Sequence, residues 1–149
     1  MIEFLRGDIF EVRQAEALVN PTNCVGVMGR GVALAMKNRF PWCFGPYRQA
    51  CAAGTHRPGT ILWVPNPGEG WPRGIVHLPT KRHWRQPSVI GDVRSGVEAL
   101  VTWADHEAIR SVAVPALGCG LGGLEWDQVR SLMGLAFAPS PCRFLVLEP

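Results

Sequence analysis

The sequence predicts an α/β domain built on a largely parallel sheet with helices on both faces. Two observations lead there. Short runs rich in Val, Leu and Ile alternate with longer stretches whose apolar residues recur at helical spacing. Two glycine-rich loops, moreover, share one design: each leaves a strand and enters a helix.

In chain order, a first strand precedes Asp8, and EALVN (16–20) reads as a short buried strand opening into PTNCVGVMGRG. GVALAMKNRF (31–40) is apolar at Val32, Leu34, Ala35 and Met36, which makes it a helix. It stops at Phe40-Pro41, because a residue before proline avoids the helical region. WCFGPYRQACAAG (42–54) is a second helix, weakened by Gly45 and Pro46. GTILWVP (59–65) and GIVHLP (74–79) are strands, with NPGEGWPR as the turn region between them. Segment 89–107 is a helix with Val93, Val97, Leu100, Val101 and Ala104 on its apolar side. SVAVPALG (111–118) is a buried strand. LEWDQVRSLMGLAFA (124–138) is a helix whose acidic first turn, Glu125 and Asp127, suits the positive end of the helix dipole. CRFLVLE (142–148) is the last strand. No repeat, low-complexity tract or linker interrupts the chain, so 1–149 is expected to be one domain.

Composition narrows the classes. With 47% hydrophobic and 18% charged residues, the 149-residue chain is globular rather than disordered. No apolar run reaches the roughly 18 residues a membrane helix needs, and no signal peptide is visible, so cytoplasmic residence without a membrane partner is the expectation. Five cysteines, odd in number and without CxxC, argue against a disulfide framework or a zinc site. The four histidines show no ligand spacing; no metal or cofactor is expected. A net charge of +3 permits a phosphate or nucleic-acid partner without requiring one.

The two loops are NCVGVMGRG and GCGLGG (118–123), and in a parallel sheet both belong to the C-terminal strand edge. Glycines let backbone N–H groups approach an anion, and the helix behind each loop adds its dipole. Such a pair can hold a diphosphate between them, although each loop alone could be a simple tight turn. Gly118, Gly120 and Gly123 spell GxGxxG, but only 26 residues follow Gly123, too few for a dinucleotide fold. The absence of GK[ST] excludes a P-loop NTPase.

Of 15 Lys and Arg residues only Lys37 and Lys81 are lysines. Lysine, unlike arginine, can lose its proton and act as nucleophile or base, and neighbouring cations favour that loss. Lys81 sits at the end of a buried strand beside Arg82 and Arg85, with His83 between; the plain alternative is an exposed loop lysine. Lys37 merely suits a helix C-terminus. Asn20 and Asn23 offer uncharged donors and acceptors for sugar hydroxyls, or cap the loop. Asp8 can accept from a base amine or cap a turn. Arg82, His83, Trp84 and Arg85 interleave cations with an aromatic, a pattern that grips single-stranded nucleic acid, or else form a solvated basic loop.

GDIF, ALVNPTNCVGVMGRGVALAMKNRFP, LPTKRHWR and VPALGCGLGGLEW together resemble the macrodomain family, and within it the DarG-type DNA ADP-ribosyl glycohydrolase antitoxins. The resemblance implies a three-layer α/β/α macrodomain with a mixed, largely parallel central sheet and ADP-ribose in a cleft at its C-terminal edge. It implies that Asp8, with Ile9 beside it, meets the adenine. Gly26, Val27, Met28, Gly29, Gly31 and Val32 would wrap the distal ribose and diphosphate, with Asn23 reaching that ribose. Thr80 would line the cleft, and Pro115, Leu117, Gly118, Cys119, Gly120, Leu121 and Gly122 would form the second cradle. Lys81 matches the catalytic lysine, with Asn23 as its partner, and Arg82 to Arg85 would hold flanking DNA. The implied substrate is ADP-ribose on a base, thymine by expectation, in single-stranded DNA made by a cognate ADP-ribosyltransferase toxin. An ADP-ribose reader without turnover and a hydrolase of modified protein side chains are the alternatives. Terminal ADP-ribose glycohydrolases carry an aspartate where this chain has Gly122, so a step assisted by that carboxylate does not carry over. DarG-type antitoxins usually continue into a further C-terminal region, so a chain ending at VLEP is either an excised domain or a short variant.

Overall fold

The computed structural model describes residues 1–149. Six strands, β1 (Ile2–Leu5), β2 (Ala17–Asn23), β3 (Leu62–Pro65), β4 (Gly74–Lys81), β5 (Ser111–Val114) and β6 (Arg143–Leu147), form one sheet. Its order is β1-β6-β5-β2-β4-β3. All neighbours run parallel except β3, which pairs antiparallel to β4 and makes the sheet mixed. Four helices connect the strands: α1 (Gly31–Arg39), α2 (Phe44–Ala52), α3 (Ile90–His106) and α4 (Trp126–Phe137).

Side chains alternate across a strand, so each central strand feeds two cores. Val19, Val76, Leu78, Val112, Val114, Phe144 and Val146 pack with Val93, Val97, Leu100 and Ala104 of α3 and with Val129, Met133 and Phe137 of α4. Leu18, Ile75, Ala113 and Leu145 face the other way, towards Met36 of α1 and the buried 3-10 turn residues Ile9 and Phe10. The expected three-layer α/β/α arrangement is the one observed.

Several boundaries differ from expectation. β2 runs on through Pro21 to Asn23 rather than stopping at residue 20. A proline is tolerated there because β5 pairs with β2 only at Ala17 and Leu18, so further along β4 is its one neighbour. β4 likewise extends to Lys81 rather than ending at 79. β5 ends at Val114, before Pro115. β3 starts late because Arg57 and Thr60 close a turn, with Thr60 Oγ1 donating to the Arg57 carbonyl at 2.7 Å. The second helix is split into a 3-10 turn, Pro41–Cys43, followed by α2, which leaves Pro46 in the first turn where its missing N–H is harmless.

Gly96 shows how closely α3 lies on the sheet. A Cβ there would come 2.8 Å from Leu78 Cδ2 and 3.2 Å from its Cγ. Glycine inside a helix costs about 1 kcal/mol relative to alanine, and close approach to β4 offsets it. Gly96→Val is therefore expected to lower stability by about 1–3 kcal/mol through overpacking, as measured by urea denaturation.

Candidate functional site

β2, β4 and β5 are adjacent and parallel, so their C-terminal ends share one edge. The residue pairing along β2 and β4 is regular to Thr22 opposite Pro79 and then slips, placing Asn23 opposite Lys81. Thr80 is thus an extra, unpaired residue, a bulge of the kind that re-aims the side chain after it. Asn23 and Lys81, 58 positions apart in sequence, become neighbours at the mouth of the edge.

The loop after β2 is organised by Asn23, whose side chain is almost wholly buried. Its Oδ1 accepts from the Val25 N–H at 3.0 Å, and its Nδ2 donates to the Val27 carbonyl at 2.8 Å. The Tyr47 hydroxyl of α2 lies 2.7 Å from the same Oδ1. Gly26 takes φ +91°, where a side chain would be strained. α1 follows from Gly31 with no side-chain cap, so its first N–H groups have no side-chain partner at that end. Met28 is buried, its sulfur 3.8 Å from Asn20 Nδ2, so at these two positions only the backbone can meet a ligand.

Beneath this loop lies a buried polar cluster. Asn20 Nδ2 is 3.2 Å from His77 Nδ1, and His77 Nε2 is 2.8 Å from the Cys43 carbonyl. The carbonyl can only accept, so Nε2 carries the proton and Nδ1 accepts from Asn20. Thr22 Oγ1 and His56 Nε2 are 2.7 Å apart. Burial pushes both imidazoles down from 6.5 to about 4, which keeps them neutral.

The second loop leaves β5 through Pro115 and buried Leu117. Gly118 has φ +73°, and the Leu124 N–H donates back to its carbonyl at 2.8 Å. Gly122 is buried against Ser88: the Ser88 N–H donates to its carbonyl at 3.0 Å. A Cβ at 122 would collide with Ser88 Oγ and lie 2.5 Å from the Gly118 carbonyl oxygen. An aspartate at 122 has no room in this chain. Leu121 reaches across to within 4.0 Å of a Cβ position at Gly31, so the two glycine loops meet over the edge.

Lys81 is partly exposed, its Nζ 3.4 Å from the Trp84 carbonyl. The following quartet divides. Arg82 forms a fork with Asp92 of α3, Nε to Oδ2 at 3.1 Å and Nη2 to Oδ1 at 3.2 Å, so its charge is already matched. His83 stacks on Trp84 with ring centroids 5.2 Å apart, and the Arg85 guanidinium lies 4.6 Å from the Trp84 centroid. Trp84 itself is exposed rather than folded onto the body. Of seven exposed large hydrophobic residues, Val25, Val27, Trp84, Val89 and Leu121 all lie on the loops around this edge, which marks it as a contact surface. The Cys24 thiol of the first loop is pushed up by burial to about 11 and is protonated at neutral pH. Asp8 stands at the far end of the same edge, after β1, and its Oδ1 accepts from the Phe10 N–H at 2.9 Å; Ile9 is buried in the core.

Tyr47, His56, His77 and Ser88 were not singled out by sequence. His77 carried a signal, a polar residue inside the apolar run GIVHLP. Tyr47 and Ser88 carried none.

A Macro domain family model matches residues 19–133, and the chain belongs to the macrodomain family. Within that family its similarity is to the DarG macrodomains. A DNA ADP-ribosyl glycohydrolase of Mycobacterium tuberculosis is 40% identical over 149 residues, all of this chain and 42% of the relative. The solved macrodomain of Mycobacterium tuberculosis DarG superposes with a TM-score of 0.95 at 39% identity, covering 100% of this chain and 98% of that one. Thermosipho africanus DarTG in complex with ADP-ribose superposes with a TM-score of 0.93 at 33% identity, over 99% of this chain and 41% of that chain. The chain thus spans about two fifths of the length of the curated relatives it matches.

Two outcomes follow from this geometry. Gly122→Ala is expected to part the second loop from Ser88, so that hydrogen exchange at the Ser88 amide accelerates and stability falls by about 1–3 kcal/mol. Both buried imidazoles bind protons more weakly folded than unfolded. Their contribution is therefore intact above pH 6.5 and is lost as pH falls towards 4. Urea melts between pH 7 and 4 are expected to show that decline, with a smaller slope in a His56→Gln variant.

Proposed function

We propose that this chain hydrolyses the glycosidic bond between ADP-ribose and a base, thymine by preference, in single-stranded DNA. The observation that carries the reading is the placement of Lys81 beside Asn23, at the strand edge where two glycine loops meet. The names of the relatives support the same reading. The fusion of a DNA ADP-ribosyl transferase with a DNA ADP-ribosyl glycohydrolase in Thermosipho africanus supports an antitoxin role opposite such a transferase.

In this reading the diphosphate rests against backbone N–H groups of Gly26 to Gly31 and Gly118 to Gly122, with the α1 N-terminus adding its dipole. Val27, Gly29 and Val32 line the first cradle, Cys119, Gly120 and Leu121 the second. Asp8 keeps one carboxylate oxygen for the adenine amine, since only Oδ1 is engaged in its cap. The second N–H of Asn23 Nδ2 is left for the distal ribose. In the net reaction the bond from the anomeric carbon to the base nitrogen breaks. Water supplies the oxygen that replaces it, and a proton ends on the base. Lys81 acts on the anomeric carbon as attacking amine or on the base as proton donor. Trp84 and Arg85 form the DNA contact, base against aromatic and phosphate against cation, with His83 as support. Arg82 acts as a strut to α3 rather than as a phosphate ligand. Residence in the cytoplasm fits this substrate.

Single-turnover release from an ADP-ribosylated thymine oligonucleotide is expected to fall at least 100-fold in Lys81→Ala, while ADP-ribose Kd stays within about fivefold. Equal release by the two proteins refutes the assignment of Lys81. Binding without release by the wild type favours a reader, and release only from modified protein moves the substrate to side chains.

A further inference from the structure

Asn23 occupies the last position of β2, where the ladder to β4 has just slipped. Its pairing with Lys81 is the last of the ladder, with no regular pair directly before it. A further constraint comes from the helix layer below. Tyr47 is wholly buried in α2, and its hydroxyl lies 2.7 Å from Asn23 Oδ1 and 3.0 Å from the Asn23 carbonyl oxygen. Both are acceptors, so the phenol donates its single proton, to Oδ1 as the nearer partner, with the Asn23 carbonyl and the Val27 carbonyl at 3.4 Å as longer contacts. The amide orientation is set independently, because the Val25 N–H can only donate and the Val27 carbonyl can only accept. Tyr47 thus holds Asn23 through an amide oxygen whose orientation the Val25 N–H and the Val27 carbonyl also set.

The tyrosine is itself immobilised. Its ring meets His56 edge-on at 5.3 Å and lies tilted against His77 at 5.2 Å. Those imidazoles are tied in turn to Thr22 of β2 and to the Cys43 carbonyl. Burial pushes the phenol up, so it remains a donor. The other group that α2 offers to Asn23 is Cys51 Sγ, 3.9 Å from the carbonyl oxygen, a weak donor.

We propose that Tyr47 is a positioning residue for the reaction. Its hydroxyl holds Asn23 in register with Lys81, so that amide and amine address the same sugar. Tyr47 does not itself enter the cleft. The inference rests on the reading of Asn23 and Lys81 given above, and its test separates the two.

Wild type, Tyr47→Phe, Asn23→Ala and the double variant are compared for single-turnover release from ADP-ribosylated single-stranded oligonucleotide and for ADP-ribose Kd. Tyr47→Phe is expected to slow release roughly 5- to 30-fold while Kd changes less than about threefold. In the Asn23→Ala background the tyrosine change is expected to add nothing. Full-rate release by Tyr47→Phe overturns the proposal. So do effects that multiply in the double variant, or release and Kd weakening by one common factor. If Asn23→Ala alone releases at the wild-type rate, the role given to Asn23 fails, and the role of Tyr47 with it. If only the tyrosine arms fail, Asn23 keeps its role.

Tyr47 is the only tyrosine in the chain, so 3-fluorotyrosine labels it alone without removing the hydroxyl. Its ¹⁹F resonance is expected to move in Asn23→Ala and on addition of ADP-ribose. A resonance indifferent to both overturns the proposal without relying on the folding of Tyr47→Phe.

Discussion

At the end of β2 the ladder to β4 slips by one residue, so that Asn23 faces Lys81 and Thr80 is left over. A regular ladder would have put Thr80 opposite Asn23 and carried the lysine one step further along its strand. The slip places Asn23 and Lys81 opposite one another at an edge built from buried strands. It also loosens the last residues of both strands from strict pairing, so other contacts must hold them. On the β2 side these come from Tyr47 and from the amides of Val25 and Val27. On the β4 side they come from the Arg82–Asp92 fork and from the tie of Ser88 to Gly122.

Those contacts make three loops into one unit. Ser88 belongs to the segment that carries Lys81, yet its N–H is bonded to the second glycine loop. Leu121 of that loop in turn approaches Gly31 of the first. The buried polar groups below, Asn20, Thr22, His56 and His77, are costly to desolvate unless paired. Their pairings cross from β2 to β4 and to the segment between α1 and α3, so the layer under the cleft is pinned by directed bonds as well as apolar packing. Directed bonds suit a site whose work is alignment, where displacement of about 1 Å can lower a rate 100-fold.

Much of this was legible in the sequence, and the limits have physical causes. Alternation of apolar period gives the layers, because burial on each face depends on period alone. Lys81 stands out because the chain otherwise prefers arginine, and Asn23 because an uncharged amide offers both donors and an acceptor at the mouth of a glycine loop. The end of β2 was not legible: the strand continues through Pro21 because β5 has already left its side, a fact of tertiary pairing. The fork between Arg82 and Asp92, ten residues on in the first turn of α3, is a contact that no local pattern in the sequence shows. Tyr47 was invisible because its partner lies 24 residues away on another element, and no local pattern encodes that contact.

Gly122 joins the two kinds of information. The sequence alone shows that no carboxylate stands there; the packing shows that none can, since Ser88 and the Gly118 carbonyl occupy the space a side chain would need. The constraint runs in both directions. The tie that fixes the lysine-bearing segment to the second glycine loop requires a bare α-carbon at 122, and a bare α-carbon leaves no acid there. Cys24 is held protonated beside the first loop. At the sugar end, then, the proposed reaction has one reactive amine and must draw its rate from alignment of that amine with the anomeric carbon and from departure of a base whose nitrogen shares its charge with two carbonyls. The pair of carboxylates usual in glycoside hydrolysis is replaced in this reading by one amine held rigidly in place.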